Sequence, residues 1–214
     1  SAGSISDMLR VLLHAASRVF LTLAFGFTPA RPLEDAQCIV AANHNTHLDT
    51  LALCRLFPLR RVNSVKVVAA RDYFDHGIGG FFGRMAFNLI LLDRRSARTS
   101  LEPVEEALRQ GFSVILFPEG TRGEPGVMRP FKRGIGKLAL DFPELPVYPV
   151  CLHGIEKTLP KGGRLPVPFT IRTEVLPPVF GKDFLHAGQQ GRKLLTARLE
   201  EHIRAAGAGS ACRS

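Results

Sequence analysis

In the stretch Asn43-His44-Asn45-Thr46-His47-Leu48-Asp49 a histidine is followed, five residues later, by an aspartate. An imidazole titrates near neutrality, and a carboxylate bonded to one ring nitrogen fixes the tautomer that leaves the other nitrogen free to take a proton. The chemistry on offer is general-base attack on a hydroxyl, and no serine or cysteine nucleophile is needed if that hydroxyl belongs to a substrate. These residues alone leave two other readings open. The histidine can be a polar cap beside a helix start. Alternatively, His44, His47 and Asp49 are all metal-ligand types, although zinc calls for a further ligand at a recognisable spacing and His76, His153, His186 and His202 are scattered.

A second polar constellation, Pro118-Glu119-Gly120-Thr121-Arg122-Gly123, closes the apolar run Ser113-Val114-Ile115-Leu116-Phe117. Glycine permits close backbone approach, Thr121 offers a hydroxyl, and the Arg122 guanidinium is a planar fork suited to phosphate. Cations recur in Asp93-Arg94-Arg95 and in Arg129-Pro130-Phe131-Lys132-Arg133-Gly134. Each cluster alone reads as a solvated edge. Three of them, with a histidine base, read as a pocket for a phosphorylated ligand.

The elements that must position these groups alternate. Strand-like runs fall at 38–42, 65–70, 88–92, 113–117, 147–152 and 169–175, with helix-like stretches at 48–57, about 78–86, 97–110, 133–141 and 188–205. This pattern predicts an α/β fold with a largely parallel or mixed sheet covered by helices, and in such folds ligands sit at the carboxyl ends of strands. Within 73–88, Ile78, Phe81, Phe82 and Met85 share a helix face, either as core packing or as a wall for an acyl chain or membrane contact. The stretch 158–168 and Pro177-Pro178 read as loops.

Ahead of this domain, Ile5 to Phe27 repeats apolar residues at helical spacing, with Arg10, Ser17 and Arg18 on the other side. Such an amphipathic helix fits a groove of its own domain or a membrane interface, where Arg10 and Arg18 would face anionic lipid. With no run of 18 apolar residues, a simple spanning helix is not expected. The division expected is an N-terminal segment and connector over 1–34, an α/β domain over 35–205 and a flexible tail over 206–214.

The chain of 214 residues can bury one full core, and its 45% hydrophobic content argues against disorder. A net charge of +9 points to an anionic partner, whether nucleic acid, anionic lipid or a phosphorylated small molecule. No Trp and only two Tyr leave little for base stacking, and no nucleic-acid motif is present, so nucleic acid is not the expected partner. Cys38, Cys54, Cys151 and Cys212 have no paired spacing; Cys38 and Cys151 lie in apolar runs and are expected as buried free thiols.

The blocks Asn43-His44 with Asp49, Leu92-Asp93-Arg94, Phe117 to Arg122, and Val147-Tyr148-Pro149-Val150 occur in that order, and together the chain resembles the glycerolipid acyltransferases typified by 1-acylglycerol-3-phosphate acyltransferase. The resemblance covers roughly residues 35 to 155. It implies His44 as the base that deprotonates an acceptor hydroxyl, Asp49 as its orienting partner, and Arg94, Glu119, Gly120 and Arg122 as acceptor-binding residues, to which the strand-end clusters add Thr121 and Lys132. The fourth block would shape the acyl site. His47 takes no catalytic role in this reading, and 155–180 matches no motif. An acyl thioester, from coenzyme A or acyl carrier protein, would be the donor and a phosphorylated lipid-like molecule the acceptor, with no cofactor or metal because a thioester is already activated. Backbone N–H groups near the Gly120 turn would hold the oxyanion. The resemblance also favours the interfacial reading of the N-terminal helix, at the cytoplasmic face of a membrane. A hydrolase using the same pair on water is the nearest rival.

Overall fold

The computed structural model of the chain describes residues 4–27, 30, 32–44, 48–71, 86–93, 100–121, 127–154 and 171–211. Its centre is a seven-stranded mixed sheet formed by β1 (Ile39–Ala42), β2 (Val65–Ala70), β3 (Leu89–Leu92), β4 (Ser113–Leu116), β5 (Pro146–His153), β6 (Arg172–Val175) and β7 (Val179–Phe180). The order is β3-β2-β4-β1-β5-β6, with β7 also on β5. The first five strands run parallel; β6 and β7 pair antiparallel with successive parts of β5.

Strict alternation along β1 builds both cores. Val40 and Ala42 enter one cluster with Leu21, Phe25, Ala52, Leu53, Phe57, Val67 and Val150, while Ile39 and Ala41 enter another with Val104, Leu108, Ile135, Leu138, Leu195 and Leu199. The first lies under α1 (Ile5–Phe25) and α2 (Leu48–Cys54). The second lies under α3 (Glu102–Arg109), α4 (Gly134–Asp141) and α5 (Gly191–Ala211). A sheet buried on both faces accounts for runs such as Ile39–Ala42 being apolar throughout. The α/β expectation therefore holds.

Some boundaries differ. The expected flexible tail from 206 is instead helical as far as Ala211, because α5 continues through its small residues. β7, just after Pro177-Pro178, was not foreseen, since two residues are too short to show a period. The helix expected near 78–86, with Ile78, Phe81, Phe82 and Met85, lies mostly outside the described residues. Cys38, Cys54 and Cys151 are buried thiols.

The N-terminal helix begins with a capping box. Ser4 Oγ accepts from the Asp7 N–H at 3.3 Å, and Asp7 Oδ2 accepts from the Ser4 N–H at 3.2 Å. It ends at Gly26, whose φ of 52° is left-handed. Its orientation corrects the expected role of Arg10 and Arg18. The Arg10 guanidinium donates to Asp7 Oδ1 and Asn63 Oδ1, both at 3.0 Å, and Arg18 donates to the Phe57 carbonyl. His14 donates from Nε2 to the Ala86 carbonyl at 3.0 Å. The polar stripe faces the protein. Ile5, Met8, Leu12, Val19, Phe20 and Leu23 face outward, from 53% to 82% exposed. By length and composition the helix is also apolar enough to cross a membrane, contrary to the expectation from the lack of an unbroken apolar run; Arg10, His14 and Arg18 interrupt the sequence but not the outer face.

Candidate active site

The sheet register brings the two polar constellations together. Ala41 lies opposite Leu116 on the neighbouring parallel strands β1 and β4. Three residues beyond each, where both strands have ended, the His44 N–H donates to Glu119 Oε1 at 2.9 Å. The second oxygen, Oε2, accepts the Arg129 N–H, also at 2.9 Å. One carboxylate thus ties the turn after β1, the turn after β4 and the segment leading to Lys132. Glu119 is only 3% exposed, and its pKa is raised by burial; the N–H groups of Arg129 and His44 pull it partly back, and Asp49 adds to the rise.

His44 Nδ1 lies 2.9 Å from Asp49 Oδ2. Asp49, in the first turn of α2, has no exposed surface, whereas the His44 side chain retains 17%. A carboxylate can only accept, so this contact places the ring proton on Nδ1 and leaves Nε2 as the basic atom. The ring also stacks on Phe117, with centroids 4.0 Å apart and planes at 21°. Phe117 packs against the α1/α2 core, so the His44 imidazole stands on the sheet face that carries the exposed apolar stripe of α1.

Gly120 has φ +73°, and the Lys132 side chain crosses directly over it. The backbone of Lys132 is held by its N–H donating to the Pro118 carbonyl at 2.9 Å. The Gly120 N–H donates to the Phe117 carbonyl at 3.0 Å, closing the turn. The Gly120 amide is thus engaged within its own turn. Thr121 follows, partly exposed. His47, Arg94 and Arg122 lie outside the described residues. Among the described residues, no three His, Cys, Asp or Glu side chains are grouped to hold a metal ion.

Each Glu119 oxygen accepts one peptide N–H, so besides the acceptor-binding role expected of it the carboxylate braces the site. Spacing alone gave no sign of that. Asn43 was also passed over; its carboxamide bonds to the Leu152 peptide on β5.

The acyltransferase family profile matches residues 27–153, more than half of the chain. The chain belongs to the acyltransferase family. Among the family's curated members, the chain is similar to the 1-acyl-sn-glycerol-3-phosphate acyltransferase alpha of Mus musculus. The identity is 32% over 178 residues, covering 79% of this chain and 59% of the relative. It is similar as well to the 1-acyl-sn-glycerol-3-phosphate acyltransferase of Limnanthes douglasii, at 30% over 152 residues, covering 69% and 52%. The chain thus spans little more than half the length of these relatives. The fold of this acyltransferase chain is shared with the crystal structure of the 1-acyl-sn-glycerophosphate (LPA) acyltransferase, PlsC, from Thermotoga maritima. The TM-score is 0.76 at 22% identity, covering 96% of this chain and 80% of that one.

Proposed function

We propose that this chain moves a fatty acyl group from an acyl thioester to a hydroxyl of a phosphorylated lipid acceptor of the 1-acylglycerol-3-phosphate type. The observation that carries the reading is the contact between His44 and a fully buried Asp49, placed beside the Glu119-Gly120 turn and Lys132. The acceptor hydroxyl gives its proton to His44 Nε2 as its oxygen attacks the thioester carbonyl carbon. The tetrahedral intermediate then expels the thiolate, which takes the proton back from the imidazolium as the carbon–sulfur bond breaks. Asp49 holds the ring and compensates its transient charge. The Lys132 ammonium, over a turn whose glycine leaves it room, meets the acceptor phosphate, with Arg94 and Arg122 assigned to the same group from the family resemblance.

The apolar outer stripe of α1 lies along the cytoplasmic face of a membrane, so that the site receives an acceptor already in the lipid layer. Coenzyme A or acyl carrier protein supplies the thioester.

The test is to incubate the protein with a labelled acyl thioester and a panel of phosphorylated and unphosphorylated acceptors in mixed vesicles, and to identify the product by mass spectrometry. Acylated lysophospholipid is expected, with His44→Ala reducing its formation on the order of 10²–10⁴-fold and His47→Ala retaining most of it. Free fatty acid formed at the same rate without acceptor would make the protein a hydrolase. Equal losses for the two histidines would overturn the single-base assignment.

A further inference from the structure

The ladder between β1 and β5 ends with Ala42 opposite Val150. One residue on, the Asn43 side chain continues it. Its Oδ1 accepts the Leu152 N–H at 2.8 Å and its Nδ2 donates to the Leu152 carbonyl at 3.3 Å, so one carboxamide satisfies both groups of one residue. A side chain has taken the place of a strand's backbone. The consequence falls on the next residue. With pairing to β5 handed to the Asn43 side chain, the main chain leaves the sheet at His44, and the His44 N–H points to the other neighbour, donating to Glu119.

We propose that Asn43 is a positioning residue for the acyl-transfer step, setting through its pairing with Leu152 the place from which the His44 imidazole meets the acceptor hydroxyl. His44 is clamped from both sides: Asn43 anchors the preceding residue to β5, and Glu119 anchors its own peptide above β4. Only within that clamp do the Asp49 bond and the Phe117 stack fix the ring in one orientation. Asparagine suits this position because the contact needs one acceptor and one donor on a short planar group. Aspartate has the same shape, but its carboxylate accepts from the Leu152 N–H and repels the Leu152 carbonyl. Its protonated carboxyl restores both contacts.

The inference rests on the proposed role of His44, and its test separates the two. Wild type, Asn43→Ala, Asn43→Asp and His44→Ala are compared from about pH 8 to about pH 5, at temperatures well below each variant's unfolding transition, with both substrates varied. Facing a carbonyl in a partly buried site raises the pKa of the introduced carboxyl into this range. The expectation is that Asn43→Ala lowers kcat about tenfold or more with both KM values within about twofold, the pattern of a lost transition-state alignment. The kcat of Asn43→Asp relative to wild type should rise as the pH falls, while that of Asn43→Ala relative to wild type stays level. A flat Asn43→Asp ratio, or activity lost only in proportion to unfolded protein, would overturn the inference and leave Asn43 as a strand-end peg. Full activity in His44→Ala would overturn the general-base reading instead, whatever the Asn43 variants do.

Discussion

The Lys132 side chain occupies the space that a side chain at Gly120 would need: an added Cβ would come within 2.5 Å of Nζ and 2.6 Å of Cε. The backbone there is left-handed, with φ +73°, so any other residue also strains the turn. Gly120→Ala is expected to push the ammonium off the turn and raise KM for the phosphorylated acceptor. A lost charge-assisted contact is worth on the order of 1.5–3 kcal/mol, or about ten- to a hundredfold. The KM for the acyl thioester should hold within about twofold. Steady-state kinetics with both substrates varied checks this, and a change confined to the thioester would assign Lys132 to the donor.

Glu119 offers a prediction in pH. Its folded pKa lies above its ordinary 4.5, so the native state holds the proton more tightly than the unfolded chain does. For a raised pKa, that contribution to stability is full below the ordinary value and is lost as the pH rises through the folded one. Glu119→Gln removes the titration and leaves a peptide N–H facing an amide NH₂, an unsatisfied pair costing on the order of 1–3 kcal/mol. The stability of wild type minus that of the variant, from urea unfolding at a series of pH values, is therefore expected to shrink as the pH rises above about 4.5. A constant difference would show that burial does not control this carboxyl. Activity of Glu119→Gln is expected to fall in kcat, because His44 loses its tether.

The outer face of α1 allows the proposed membrane attachment to be tested apart from folding. Leu21 and Phe25 belong to the core, so deleting residues 1–28 is expected to open a cavity over the sheet and to lower stability along with membrane binding. Leu12→Gln and Leu23→Gln touch only the exposed stripe. Each is expected to weaken vesicle binding by about ten- to a hundredfold, since burying a leucine is worth about 1.5–3 kcal/mol, with Tm unchanged within a few degrees. Sedimentation with liposomes measures the first and thermal unfolding the second. Unchanged liposome binding would remove the membrane from the account of this helix.

These cases show where the sequence was legible. His44 and Asp49 could be paired from spacing because five residues span one strand-to-helix turn, and the strands could be placed because a doubly covered sheet leaves unbroken apolar runs such as Ile39–Ala42. The mistakes have a common source. Arg10 and Arg18 were assigned to the lipid side because periodicity identifies two faces but does not say which one meets the protein; that depends on partners such as Asn63 and the Phe57 carbonyl, far along the chain. The bracing contacts of Glu119 were hidden for a similar reason. Its contact with the His44 N–H follows from the pairing of β1 with β4, a register that no local pattern carries.

Phe117 supplies a last test, because its ring lies flat against the His44 imidazole. A stacked aromatic face restricts rotation of the imidazole about its Cβ–Cγ bond without engaging either nitrogen, so Nε2 stays free for the acceptor hydroxyl. Leucine fills much of the same space against the α1/α2 core but offers no flat face. Phe117→Leu is expected to lower kcat about two- to tenfold, the equivalent of the roughly 0.5–1.5 kcal/mol of an aromatic pair, with both KM values and Tm little changed. Phe117→Tyr keeps the face and should keep most of the activity. Single-turnover acyl transfer measured for both variants decides the matter. If Tyr and Leu reduce the rate equally, the stack is packing alone, and the orientation of His44 is set by Asp49 and its backbone clamp.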